Sequence, residues 1–121
     1  MDRILVVEDH EENLALIRYL LRHGGFECLE ARTGVEAVQM AREHRPDLIL
    51  MDLQMPVLDG FGALAVIRAD PDIGDSRVVA VTAYSMAGDR ERALEHSFDG
   101  YLTKPIDPFT FNQEIGAFLA G

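Results

Sequence analysis

Acidic, hydroxyl and ammonium side chains follow the apolar, strand-like runs of this sequence. Glu8 and Asp9 come directly after the first run, Asp52 after the third, Thr82 after the fourth and Lys104 after the fifth. Carboxylates held close together repel one another unless a cation neutralises them. Hard oxygen ligands that include one or two carboxylates suit Mg²⁺ better than a softer metal. If these groups meet in space, the sequence predicts a divalent-cation site with Mg²⁺ as its cofactor.

A carboxylate in such a cluster can also act as a nucleophile. It attacks phosphorus to give an acyl phosphate when metal, ammonium and hydroxyl groups stabilise the charge on the equatorial oxygens. We predict Asp52 as the phosphoryl acceptor, with Mg²⁺ held beside it by Glu8 and Asp9. Lys104 would contact one phosphoryl oxygen as a point charge, and the Thr82 hydroxyl would donate to another.

The elements that must position these groups are strands alternating with helices. The predicted strands cover residues 4–7, 26–29, 48–51, 78–81 and a short segment around Tyr101 and Leu102. Such alternation is typical of a parallel sheet covered on both faces. Functional groups in an open parallel sheet collect at the carboxyl ends of the strands. We therefore expect the side chains named above to converge on one rim.

Five helices are predicted to connect and follow these strands. The first ends at Gly24 and Gly25, which supply a C-cap. The second begins at a capping box formed by Thr33 and Glu36, and it ends before Pro46.

The remaining helices have different signals. The third follows the Gly60 turn, and the fourth is predicted from a cap at Ser85 to about His96, where a thin apolar stripe indicates loose packing. In the fifth helix, Asp107 and Pro108 are predicted as N-cap and first helical residue. Its predicted buried stripe consists of Phe111, Ile115, Phe118 and Leu119.

Composition narrows the class of protein. Of the 121 residues, 48% are apolar and 26% are charged, as in an ordinary globular protein, and we expect a single domain over residues 1–121. The net charge of −10, with no basic stripe, disfavours direct nucleic-acid binding. No stretch has membrane-spanning length or the pattern of a signal peptide, and the single cysteine, Cys28, can form no internal disulfide. These features predict a cytoplasmic protein that does not contact a membrane.

Four segments carry a family resemblance that extends from the first predicted strand to the last predicted helix. They are residues 4–9, residues 47–56 with the following Asp59 and Gly60, residues 81–83 and residues 100–105. In these segments the chain resembles the CheY-like receiver domain of response regulators in two-component signalling. The resemblance implies an α/β fold of the flavodoxin-like type, a doubly wound five-stranded parallel sheet in the order 2-1-3-4-5 flanked by five helices.

The resemblance also implies roles for the rim residues. Asp52 would receive its phosphoryl group from a phosphohistidine of a histidine kinase or phosphotransfer protein. Metal binding would fall on Asp9, Asp52 and the backbone carbonyl of Gln54, with Glu8 acting through water. Such a protein is a switch rather than an enzyme, with only self-directed phosphotransfer and autodephosphorylation expected.

A switch needs a readout, and the resemblance places it on the face of the fourth helix, the fifth strand and the fifth helix. Thr82 would move inward and Tyr101 would turn in behind it, so that a downstream protein partner binds the altered face. The protein is then expected to be a monomer or a weak phosphorylation-dependent dimer. Lys104 and Pro105 resemble the family's cis peptide bond, and Gly60 with Asp59 forms a structural turn and cap.

Three alternatives are open at this stage. The chain can be a receiver domain excised from a hybrid sensor kinase instead of a stand-alone regulator. A magnesium-dependent aspartyl phosphatase uses the same residue types, but it places its nucleophile on the first strand. A flavodoxin-like cofactor binder needs a phosphate-cradling loop after the first strand, where Glu8 and Asp9 would repel the phosphate.

The histidines show no ligand-like spacing. They lie at His10, His23, His44 and His96, and roles at the surface or behind the metal ligands are favoured over a metal site. Of the four, His10 alone is expected near the rim.

Overall fold

The computed structural model describes residues 2–55, 58–83, 91, 95 and 98–120. Its strands pair in parallel within one sheet, in the order β2-β1-β3-β4-β5. The strands are β1 (Arg3–Val7), β2 (Glu27–Ala31), β3 (Leu48–Asp52), β4 (Val78–Thr82) and β5 (Gly100–Thr103). The predicted sheet and its strand order are confirmed.

The inner strands follow the sequence prediction closely, whereas β2 does not. Every residue of β3 and β4 is buried, as expected of apolar runs covered on both faces. At the sheet edge, β2 spans Glu27–Ala31 rather than residues 26–29, because Arg3–Val7 pairs with it residue by residue. Pairing with β1 therefore sets the ends of this strand, and its apolar run does not.

Four helices lie in the part of the chain that the structure describes. They are α1 (Glu11–His23), α2 (Gly34–His44), α3 (Gly60–Ala69) and α4 (Phe111–Ala120). The predicted fourth helix lies mostly outside the described residues, so α4 corresponds to the predicted fifth. None of these helices combines the length and apolarity needed to cross a membrane.

Local signals account for the ends of α1 and α2. Gly24 caps α1, and Gly25 follows in the left-handed region with φ of 86°. At the start of α2, the Thr33 side chain accepts from the Glu36 amide at 3.1 Å, so the predicted cap is confirmed. The Glu36 carboxylate, however, accepts from the Arg32 amide at 3.1 Å rather than from that of Thr33.

The last helix begins later than predicted. Asp107 caps a turn instead of the helix, since its Oδ1 accepts from the Phe109 amide at 2.9 Å and its carbonyl accepts from the Phe111 amide at 3.0 Å. Regular helix starts at Phe111, not at Pro108. Phe111 and Ile115 are buried as predicted, and Phe118 and Leu119 pack partly buried against them.

The two faces of the sheet carry separate apolar cores. Alternate strand residues such as Leu5, Ile49 and Met51 pack with α2 and α3 on one face. Their neighbours, such as Ile4 and Leu50, pack with α1 and α4 on the other. The sheet is thus covered on both faces, which leaves the carboxyl ends of its strands as an open rim.

Candidate functional site

The rim brings together groups that are far apart in sequence. Asp52 is the last residue of β3 and Thr82 the last of β4, while Glu8 and Lys104 follow β1 and β5. Lys104 Nζ lies 2.6 Å from Glu8 Oε1 and 3.5 Å from Asp52 Oδ2. The Glu8 and Asp52 side chains are each only 2% exposed, and that of Lys104 is 17% exposed. The Lys104 ammonium group therefore neutralises part of the negative charge of a buried pair of acids.

Backbone amides hold both buried carboxylates in place. Glu8 Oε2 accepts from the amides of Asp9 at 3.0 Å and His10 at 3.4 Å, just before α1 begins. Asp52 Oδ1 accepts from the Gln54 amide at 3.0 Å. The Gln54 amide thus engages Oδ1 of Asp52, and Oδ2 is the oxygen nearer the Lys104 ammonium group.

The two buried acids differ in acidity. Burial raises the pKa of Asp52 to about 7, and the hydrogen bond and negative charge of Glu8 add to that effect. Burial also opposes ionisation of Glu8, but its hydrogen bonds with Asp52 and Lys104 outweigh this and lower the pKa of Glu8. Without a cation, the pair therefore tends to keep a proton on Asp52 near neutral pH.

The residues present fit a magnesium ion. Glu8, Asp9 and Asp52 each offer one carboxylate oxygen, and these atoms, together with one ring nitrogen of His10, lie within 4.8 Å of one another. Bonds of about 2.1 Å place ligand atoms on opposite sides of Mg²⁺ about 4.2 Å apart, so small side-chain movements close the set. Asp9 Oδ1 is buried and accepts no hydrogen bond, which is unfavourable unless a cation binds it.

His10 lies within this cluster, near the rim as expected, and its side chain is 71% exposed. Its Nδ1 lies 3.1 Å from Asp9 Oδ1 and 3.7 Å from Glu8 Oε2. Spacing between histidines could not reveal this, because the other members of the cluster are acids. The available signal was its position directly after the acid pair.

The remaining predicted residues surround the cluster. Thr82 is completely buried at the end of β4, and its carbonyl accepts from the Lys104 amide at 2.8 Å. Tyr101 on β5 is partly buried against the core that includes α2 and α3. The peptide bond between Lys104 and Pro105 is cis.

Gly60 lets the start of α3 pack closely against the end of β3. A side chain there would collide with the backbone of Asp52 and Leu53, so the start of α3 can approach the end of β3 only with glycine at this position. Asp59 caps the helix, since its Oδ1 accepts from the Gly62 amide at 2.8 Å.

The fold and the rim define a class of protein, the doubly wound parallel α/β domains with a cluster of acids at the carboxyl ends of their strands. The chain belongs to the response regulator receiver domain family, whose sequence model matches residues 4–115. Members of this family are phosphoacceptor switches of two-component signalling and bind Mg²⁺ in an acidic pocket.

One named response regulator and two solved receiver domains are similar to this chain over nearly its whole length. The polar-differentiation response regulator DivK of Brucella anthropi is 40% identical over 116 residues, which cover 96% of this chain and 94% of DivK. The receiver domain of a sensor histidine kinase from Pseudomonas aeruginosa, solved with magnesium in its active-site cleft, is 34% identical with a TM-score of 0.90, over 99% of this chain and 98% of that one. The signal receiver domain of a histidine kinase from Syntrophus aciditrophicus is 30% identical with a TM-score of 0.88, over 100% and 92% of the two chains.

Proposed function

We propose that this protein is a response regulator that accepts a phosphoryl group on Asp52 from a phosphohistidine of a histidine kinase or phosphotransfer protein. The observation that carries the proposal is the pairing of a buried aspartate with Lys104 at the rim, Oδ2 lying 3.5 Å from Nζ. In the transfer step, Oδ2 of ionised Asp52 bonds to phosphorus. The P–N bond of the donor breaks, and its electron pair stays on the imidazole nitrogen.

The chain's own residues prepare this step. The Gln54 amide holds Oδ1 of Asp52, so the carboxylate has one orientation before the donor arrives. Lys104 is near enough to exchange Glu8 for a phosphoryl oxygen, and the buried Thr82 hydroxyl would donate to another. Glu8, Asp9, Asp52 and the Gln54 carbonyl would hold Mg²⁺, which supplies charge neutralisation when bound.

A conformational switch would follow phosphorylation. In the proposal, Thr82 moves toward the phosphoryl group and Tyr101 turns inward behind it, which shifts the population toward a second arrangement. A protein partner then binds the face formed by the predicted fourth helix, by β5 and by α4, which corresponds to the predicted fifth helix. The chain acts as a single cytoplasmic receiver domain over residues 1–121, as a monomer or a weak phosphorylation-dependent dimer.

The likeness to DivK supports a stand-alone regulator, because the match covers 94% of that relative. The two solved relatives named above are receiver domains of histidine kinases, which supports the hybrid-kinase alternative. An aspartyl phosphatase is less well supported, since Asp52 lies on the third strand and the residue two positions later is Gln54.

Intact-mass analysis after exposure to acetyl phosphate and Mg²⁺ tests the proposal. The wild type should gain one phosphoryl adduct that is stable in acid and labile in base, and Asp52→Asn should gain none. Asp75→Asn is a matched control, because Asp75 is an exposed acid shortly before β4, at the amino ends of the strands and thus away from the rim. An adduct of equal yield on Asp52→Asn would contradict the assignment. Sustained turnover of small phosphate esters would favour the phosphatase instead.

A further inference from the structure

We propose that His10 adds an imidazole ligand to the rim, so that the site binds Co²⁺, Ni²⁺ or Zn²⁺ through nitrogen and favours such ions over Mg²⁺. This inference rests on the divalent-cation site of the proposed function. It concerns a residue to which neither the family resemblance nor the phosphoryl chemistry assigns a role.

The geometry places the imidazole at the cation position. Its Nδ1 is 3.1 Å from Asp9 Oδ1, and one ligand atom of His10 belongs to the set that lies within 4.8 Å. Bonds of about 2.1 Å, typical of metal–imidazole and metal–carboxylate pairs, put opposite ligands about 4.2 Å apart. A small rotation of the His10 side chain, which is 71% exposed, therefore completes the set.

The imidazole is not committed elsewhere in the fold. His10 is the N-cap residue of α1, yet its side chain makes no capping hydrogen bond. Its backbone amide does bind Glu8 Oε2 at 3.4 Å, which fixes the main chain beside the cluster. The backbone is thus held at the site, and the ring is left available to a ligand.

A second observation points to a cation at this place. Asp9 Oδ1 is buried without a hydrogen bond although His10 Nδ1 is near, so the contact between them does not satisfy that oxygen. An ion between the two groups would bind both. Imidazole together with carboxylates suits first-row transition ions, whereas Mg²⁺ prefers oxygen ligands alone.

Another described histidine, His44, provides a matched control. His44 Nε2 lies 3.6 Å from Glu43 Oε2, and thus also has a carboxylate neighbour. Among the residues that the structure describes, however, His10 is the only histidine in a metal-sized cluster. His44→Asn therefore removes an imidazole near an acid without touching the rim.

Calorimetric titration of the untagged full chain with CoCl₂ and with MgCl₂ tests the inference. In His10→Asn, the Kd for Co²⁺ should rise roughly tenfold or more while the Kd for Mg²⁺ changes less than about twofold. His44→Asn should behave like the wild type. Proton NMR of the Co²⁺ complex should show one hyperfine-shifted exchangeable imidazole N–H, present in the wild type and His44→Asn and absent in His10→Asn.

Equal Co²⁺ affinity in the wild type and His10→Asn, without that N–H signal, would overturn the inference and leave His10 as an ion-pair partner of Asp9. Failure of the wild type to bind either metal would overturn it together with the proposed cation site. Phosphorylation of the wild type by acetyl phosphate with Mg²⁺ separates the two, because it tests the proposed function without reference to His10.

Discussion

Lys104 lies closer to Glu8 than to Asp52, the residue that its charge is proposed to assist. The Nζ to Oε1 distance is 2.6 Å, against 3.5 Å to Asp52 Oδ2. Since Glu8 is almost completely buried, its negative charge depends on this partner when no cation is present. Binding of Mg²⁺ beside Glu8 would release the ammonium group toward the acceptor.

Lys104 should change partners on phosphorylation. It is the only lysine of the sequence, so selective isotope labelling of lysine gives one side-chain signal for NMR. We expect that signal to shift when Mg²⁺ is added and again when acetyl phosphate is added, as Nζ moves from Glu8 to a phosphoryl oxygen. In Asp52→Asn the first shift should be reduced and the second abolished. An unchanged signal in the phosphorylated wild type would contradict the exchange.

Lys104→Met should destabilise the protein when metal is absent. The substitution leaves Glu8 buried and unpaired, and breaking a buried pair in this way is worth about 3 kcal/mol of unfolding free energy. Urea unfolding in EDTA measures the loss. Mg²⁺ should recover part of it, because a cation at the rim neutralises the same carboxylate. Arg3→Met is a control that breaks the pair with Glu27, in which both side chains are well exposed, and it should cost less than about 1 kcal/mol.

Asp52→Asn should stabilise the metal-free protein at high pH. Burial and the neighbouring Glu8 raise the pKa of Asp52 to about 7, against the ordinary value of 3.8 that an unfolded chain approaches. Between those values the folded state binds more protons than the unfolded state, so wild-type stability falls as pH rises through this window. The variant has no such loss and should be more stable than the wild type at about pH 8 in EDTA. The difference should shrink as pH falls toward about 4, and a constant difference would contradict the raised pKa.

Asp9 should contribute to Mg²⁺ affinity without holding the fold together. Its Oδ1 accepts no hydrogen bond, so Asp9→Asn removes a ligand and leaves no donor unpaired at that oxygen. At about 100 times its Kd, Mg²⁺ should stabilise the wild type by about 2.7 kcal/mol. The same Mg²⁺ concentration should stabilise Asp9→Asn much less, as measured by thermal unfolding with and without EDTA. Equal stabilisation of both proteins would place the ion elsewhere.

Gly60→Ala should be strongly destabilising, although a change from glycine to alanine within a helix is usually neutral or stabilising. Its Cβ would meet the Asp52 carbonyl oxygen and Leu53 Cα, both backbone atoms that cannot move aside without shifting β3. We expect a loss of about 2 kcal/mol or more in unfolding free energy, together with weaker Mg²⁺ binding. Gly116→Ala in α4 is the matched control, because an added Cβ there contacts nothing within 4 Å. It should be neutral or stabilise by up to about 1 kcal/mol.

Local sequence patterns predicted most of the fold. They failed at the ends of those elements whose limits depend on contacts with distant parts of the chain. The apolar runs located β3 and β4, and the Thr33 cap and Gly24 located two helix ends, because each signal lies within a few residues. The limits of β2 depend instead on its register with β1. The start of α4 depends on whether the turn after Asp107 continues as helix, which its N-cap and proline signals do not distinguish.

By itself, the sequence determined which residue types stand at the ends of which strands, and hence that acids, a hydroxyl and an ammonium group share one rim. The tertiary structure decided how they pair: Lys104 contacts Glu8 across 96 positions of sequence, and His10 lies beside Asp9 and within the acid cluster. The physical reason is that periodicity fixes the direction of a side chain locally. Distances between side chains on different strands depend on the sheet register and on the packing of both cores.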